Sequence, residues 1–199
     1  MTKPWTFVIL PALAVLGACG PSQPAVQELQ GTDITGTPIG GTFTLVDANS
    51  KTVRWSDFAG RWRIVYFGYT FCPDACPMDV GVLMQGFNRF AKEHPDRAAK
   101  VQPIFISIDP ARDTPAKVGE FAAAFSPRLL GLTGTQDQVD EAIRNFKALA
   151  LKGKVLPGGY LMDHSRAAYL FDPQGQPIET LPIDKNAESV AADLAIAVK

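Results

Sequence analysis

Arg63-Ile64-Val65-Tyr66-Phe67-Gly68-Tyr69-Thr70-Phe71-Cys72-Pro73-Asp74-Ala75-Cys76-Pro77 changes character twice within a short span. Residues 63–68 are β-branched and aromatic, the composition of a buried strand. Two cysteines and two prolines then break the pattern. From residue 80 the apolar positions return at helical spacing, as Val80, Leu83, Met84, Phe87 and Phe90. Strand, loop, helix is therefore the local order, with a chemically reactive loop at the carboxyl end of a strand. Open α/β sheets place their binding sites at such loops.

The alternation continues on both sides. Residues 101–108 form an apolar strand, Thr114-Pro115 combines an N-cap with proline at the first helical position, and Val118, Phe121, Ala122 and Phe125 share one helical face. Residues 129–132 suit a short strand, and 137–151 suit a helix with Val139, Ile143, Phe146 and Leu149 turned inward. Upstream, Asp47-Ala48-Asn49-Ser50 is a turn between two strand-like runs. Downstream, Asp172-Pro173-Gln174-Gly175 separates residues 167–171 from 177–181, and a closing helix follows over 187–198. The reading predicts an α/β fold with a central mixed sheet flanked by helices, and added N-terminal and C-terminal hairpins.

With 199 residues and 46% hydrophobic content, the chain can bury one ordinary core. Nineteen basic and twenty acidic residues give a net charge of −1 and no long basic run, which excludes nucleic acid as an electrostatic partner.

The first residues read as an address. Lys3 precedes an apolar run over 5–18, of signal-peptide length and short of a bilayer span. Leu16-Gly17-Ala18-Cys19 resembles the bacterial lipobox, which makes Cys19 the lipidated anchor; the alternative is an uncleaved hydrophobic anchor in which Cys19 has no chemistry, and both readings export the domain. Residues 1–18 are expected to be a lipoprotein signal peptide, 19–41 a lipidated N-terminus and flexible tether, and 42–199 the folded domain. The expected location is the bacterial periplasm, held to a membrane through the N-terminus. An exposed cysteine pair can cycle there between thiol and disulfide.

Cys72 and Cys76 form a Cys-x-x-x-Cys motif at a helix start, where free amides and the positive dipole end favour thiolate over thiol. The spacing suits a two-thiolate metal clamp, a redox disulfide or a structural disulfide. Two thiolates make a soft site suited to Cu(I), and an added imidazole admits Cu(II) or Zn(II). The chain has two histidines. His94 lies in a charged segment at the end of a helix, where a solvated role is expected. His164 sits just before the apolar strand 167–171 and after a flexible stretch, 153–159, which makes it the candidate third ligand. Asp163 reads as a turn residue, Met84 as core, and Met162 as loop packing two residues before His164.

Three segments together, Phe67-Gly68-Tyr69-Thr70-Phe71-Cys72-Pro73-Asp74-Ala75-Cys76-Pro77, Ser107-Ile108-Asp109-Pro110-Ala111-Arg112-Asp113-Thr114-Pro115 and Asp163-His164-Ser165, resemble the Sco/SenC family. The resemblance implies a thioredoxin-like fold and one copper ion per chain, Cu(I) or Cu(II), held by Cys72, Cys76 and His164. It further implies a chaperone role in assembling the binuclear CuA centre of cytochrome c oxidase. The implied partners are the copper-bearing oxidase subunit, a periplasmic copper carrier and a thiol reductant. Phe71 stands where many relatives carry histidine, and the lipobox replaces the usual membrane anchor. The competing reading is a thiol-disulfide oxidoreductase in which Cys72 and Cys76 form the redox pair and His164 need not touch metal. The peroxidase arrangement Pro-x-x-x-Thr-x-x-Cys is absent from the loop.

Overall fold

The computed structural model describes residues 28–199. Cys19, the expected signal peptide and the first part of the expected tether lie outside the described residues. In chain order the elements are β1 (Thr32–Asp33), β2 (Thr44–Val46), β3 (Thr52–Arg54), a 3-10 turn (Trp55–Phe58), β4 (Trp62–Gly68), α1 (Ala75–Glu93), α2 (Pro95–Ala98) and β5 (Val101–Ser107). They continue as α3 (Pro115–Phe125), β6 (Leu130–Leu132), α4 (Gln136–Asn145), β7 (Ala150–Leu156), β8 (Gly159–His164), β9 (Ala168–Phe171), β10 (Pro177–Leu181) and α5 (Ala187–Ala197).

Six strands make the central sheet in the order β1-β10-β9-β4-β5-β6. The β4-β5-β6 pairs run parallel, as βα crossovers require, while β9 joins β4 and β10 joins β9 in antiparallel fashion. The sheet is mixed, as the sequence predicts. Strand β4 is its middle: Ile64, Val65, Tyr66 and Phe67 are all fully buried, as expected of a strand covered on both faces. Successive residues feed different layers. Tyr66 stacks toward Phe105, which packs on Phe121 of α3 at 4.7 Å, on the face that α1 covers. Phe67 points the other way into an aromatic cluster with Phe146 at 5.5 Å, and Phe146 meets Phe171 at 5.4 Å and Trp55 at 5.3 Å. The β2-β3 hairpin closes that second layer through Phe43, 5.6 Å from Trp55.

Helices α3 and α4 start at side-chain caps, the first as the sequence predicts. The Thr114 side chain accepts from the Lys117 amide with Pro115 at the first helical position, and Thr135 makes a capping box with Gln138. On α1, Val80, Leu83, Met84, Phe87 and Phe90 are all buried. Each such side chain contributes about 1.5–3 kcal/mol of transfer free energy.

Four expectations change. The closing hairpin β9-β10 is no addition, because β9 is hydrogen-bonded to β4 inside the central sheet. The helix expected over 137–151 stops at Asn145, because Lys147 takes a left-handed conformation with φ of 54°. That stop leaves Leu149 exposed and frees residues 150–156 to pair as a strand. The stretch 153–159, expected as a flexible loop, is part of the antiparallel β7-β8 hairpin.

Finally, the folded domain begins well before residue 42. Thr32 and Asp33 pair with Thr180 and Glu179 on the edge of the sheet, Ile34 is buried, and the Asp193 carboxylate accepts from the amides of Gln30 and Gly31 at 2.8–3.0 Å. An edge strand leaves backbone groups unpaired, and this polar segment supplies their partners without needing an apolar signature of its own.

Candidate metal centre

The centre is built at the carboxyl end of β4, where Gly68 ends the strand. A side-chain carbon at Gly68 would stand 2.9 Å from the Phe105 ring and 3.0 Å from Cys76 Sγ, so glycine is what lets the sulfur approach the sheet. The chain then turns through Tyr69 and Thr70 to Cys72. Helix α1 begins at Ala75, which puts Cys76 in its first turn and fully buried, with Cys72 half-buried. The Cys76 amide donates to Cys72 Sγ at 3.3 Å, so the free end of the helix backbone does orient one sulfur. Both thiols are free.

The sequence reading places both cysteines in an environment favouring thiolate. For Cys76 the structure reverses this. Burial pushes its thiol up, and the neighbouring Cys72 adds to the rise against hydrogen bonds from the Tyr69 backbone and the Tyr66 side chain. Desolvation outweighs those hydrogen bonds.

His164 is the last residue of β8, 88 positions away in sequence, yet its Nε2 lies 3.2 Å from Cys76 Sγ. Its Nδ1 is 2.9 Å from the Ser165 carbonyl oxygen. A carbonyl only accepts, so Nδ1 carries the proton and the Nε2 lone pair faces the sulfurs. The ring is held edge-on between Tyr66 and Tyr69, with centroids at 6.1 and 5.9 Å. The two Sγ atoms and the imidazole nitrogen lie within 4.8 Å of one another. A metal about 2.0–2.3 Å from each donor holds three donors roughly 4 Å apart. The donor set therefore fits a soft ion after small shifts, the Cys76–His164 pair opening slightly from 3.2 Å and the wider spacings closing. A cleft of about 320 Å³ opens beside it, lined by Cys72, Leu149, Met162, His164 and Arg166 among others.

Two polar networks hold these pieces together. Buried Asp79, three residues after Cys76, receives Tyr66 Oη at 3.0 Å and the Arg166 guanidinium at 2.6 and 2.9 Å. Asp113 accepts from the Thr70 amide and hydroxyl and from Ser107 Oγ, so it ties the cysteine loop to β5. Asp109 bonds both Arg112 and the Tyr160 hydroxyl, which fastens the β7-β8 hairpin to the same corner. The segment 107–115 carries much of the sequence resemblance, and its role is this scaffolding.

Cys72, Cys76 and His164 come together at the centre, and His94 lies at the far end of α1. Asp79 and Arg166 join them without being expected from the sequence. The available signal was a carboxylate three residues after Cys76, on the apolar side of an amphipathic helix. Asp163 is exposed, and no hydrogen bond among the described residues links it to His164.

A sequence model described as SCO1/SenC matches residues 31–199. The chain belongs to the SCO1/SenC family. Protein SenC of Rhodobacter capsulatus is 38% identical over 162 residues, covering 81% of this chain and 72% of that protein. The mitochondrial protein SCO2 of Saccharomyces cerevisiae is 41% identical over 146 residues, 72% of this chain, and the match spans about half of the longer relative, 47%. Among solved structures, the copper-bound ScoI of Bradyrhizobium japonicum superposes with a TM-score of 0.72 at 36% identity, covering 80% of this chain and 99% of that one. This SCO1/SenC chain has the thioredoxin-like fold of those structures.

Proposed function

We propose that this SCO1/SenC protein is a copper chaperone that holds one copper ion on Cys72, Cys76 and His164 and passes it to the copper-bearing subunit of cytochrome c oxidase, where the CuA centre is built. The observation that carries the reading is the 3.2 Å approach of His164 Nε2 to Cys76 Sγ, with the imidazole tautomer already set by the Ser165 carbonyl. A disulfide exchanger has no need of an imidazole lone pair aimed at its buried sulfur. A copper site does. The copper bound to the Bradyrhizobium relative supports the same choice of metal.

Copper is cargo here. Binding displaces thiol protons, and transfer proceeds by ligand exchange with cysteines and histidines of the acceptor. Two-electron oxidation of Cys72 and Cys76 by an incoming disulfide removes both thiolate donors and frees the ion, so a reductant is needed to reload the site. We further propose that Cys19 carries the lipid that holds the protein to a membrane in the periplasm. Among the described residues no helix is long and apolar enough to cross a bilayer.

The test is anaerobic copper titration of the reduced protein. Wild type takes up one ion, while His164→Ala loses tight Cu(II) binding and the double Cys72→Ser, Cys76→Ser variant loses both oxidation states. Binding that ignores His164 returns the protein to the thiol-disulfide oxidoreductase reading.

A further inference from the structure

The large apolar residues that stand exposed among the described residues are Phe71, Met78, Leu149, Leu151, Val155 and Leu156. They do not scatter over the surface. Phe71 lies in the cysteine loop, Met78 in the first turn of α1, and the other four on β7 or just before it. The patch is continuous with the metal centre. Leu149 lines the cleft with Cys72 and His164, and Leu151 pairs with Asp163, the neighbour of His164. The far end of the hairpin returns to the cysteine loop: Val155 pairs with Tyr160, Arg112 lies 3.7 Å over the Tyr160 ring, and the same guanidinium is 5.0 Å from the Phe71 ring. Apolar surface that leaves Val155 72% exposed is costly to keep in water and marks a binding face.

The charge around this face is mostly positive. The chain as a whole is at −1, yet residues 144–166 contain five basic side chains and one acidic one. Lys147, Lys152 and Lys154 are exposed and form no ion pair among the described residues, and Lys117 stands 4.6 Å over the Phe71 ring.

We propose that the β7-β8 hairpin and Phe71 form the docking face for the protein that exchanges copper with this site, and that this partner presents an apolar centre ringed by carboxylates. The inference rests on the chaperone reading. An apolar centre with a charged rim is the anatomy of a specific but reversible interface. The lysine rim sets the rate of encounter, because complementary charge steers association and leaves the bound contacts to the apolar residues. Fastening the hairpin to Asp109 through Tyr160 keeps the face in register with the metal ligands.

The experiment follows copper transfer from the full-length protein to the copper-free oxidase subunit at low and high salt, for wild type, Lys152→Glu/Lys154→Glu and Leu151→Ser/Val155→Ser. Copper content and thermal stability of each variant are measured first and are expected to match wild type. The charge reversal is expected to slow transfer by roughly tenfold or more at low salt, with the difference closing at high salt. The apolar variant is expected to be slow at both. If wild type transfers copper and both variants keep its rate and salt dependence, the docking face is wrong while the chaperone reading stands. If wild type holds copper and gives none to the subunit, the proposed acceptor and its docking face both fall. If the variants instead lose binding only to phosphatidylglycerol vesicles, the face is a membrane surface and the protein-docking proposal is overturned.

Discussion

Arg166 grips Asp79 with two hydrogen bonds, Nε to Oδ2 at 2.9 Å and a terminal nitrogen to Oδ1 at 2.6 Å, across 87 residues of sequence. Asp79 lies one helical turn after Cys76, and Arg166 lies two residues after His164. The pair thus joins the element that carries the buried sulfur to the one that carries the imidazole. The guanidinium is half-exposed while the carboxylate is buried, so the two ends of the bond differ in what their loss costs.

Removing the arginine leaves a buried carboxylate with only the Tyr66 hydroxyl as partner. Arg166→Met is expected to destabilise the fold by about 1–3 kcal/mol and to weaken Cu(II) affinity by more than Cu(I) affinity, since the histidine side of the site is the one released. Asp79→Asn, which keeps the Tyr66 partner, is expected to cost less. Denaturant melts of the apo protein and competition titrations with each copper ion check both.

Asp113 organises the cysteine loop from the other side. It is buried and accepts from Thr70 twice and from Ser107 once. Asp113→Ala is expected to cost roughly 2–4 kcal/mol and to speed amide exchange in residues 69–74 selectively. Hydrogen exchange that rises uniformly across the domain would contradict this assignment.

Burial raises the Cys76 thiol, so the apo site holds that proton at neutral pH and copper must displace it. Apparent affinity is then expected to rise with pH, about tenfold per pH unit for each proton released. Calorimetric titration in buffers of different ionisation enthalpy counts those protons. A count of zero at pH near 7 would remove the argument.

Glu179 offers a second pH signature, remote from the metal. Burial, with the carboxylates of Asp193 and Asp33 nearby, pushes it up to about 8, and neither of its oxygens has a hydrogen-bond partner. An unfolded glutamate titrates at about 4.3. Between these values the native state keeps a proton that the unfolded chain has lost, so this group makes stability fall as pH rises from roughly 4.3 through 8. Glu179→Gln is expected to flatten that slope and to raise Tm by several degrees above pH ~8. Thermal scans across the window read both effects.

Much of the architecture was legible because its signals are local. The aromatic and β-branched run of β4, the Thr114-Pro115 start of α3 and the Asp172–Gly175 turn each depend on neighbouring residues alone. The fold departs from the local pattern where a distant contact overrides it. Residues 146–151 continue a helical apolar spacing, yet Lys147 turns the chain and the hairpin with β8 takes the next segment. Thr32 and Asp33 carry no strand signature and become one through the open edge of β10.

The α/β order, the cysteine pair at the end of a buried strand and the family to which the chain belongs are all written in adjacent residues, through periodicity, turn chemistry and motif. That His164 Nε2 meets Cys76 Sγ, that Asp79 and Arg166 hold them in place, and that burial raises the Cys76 thiol are consequences of the folded arrangement. Those relations join segments nearly ninety residues apart, and it is the packing of helices on a sheet that sets such distances, together with the desolvation that comes with them.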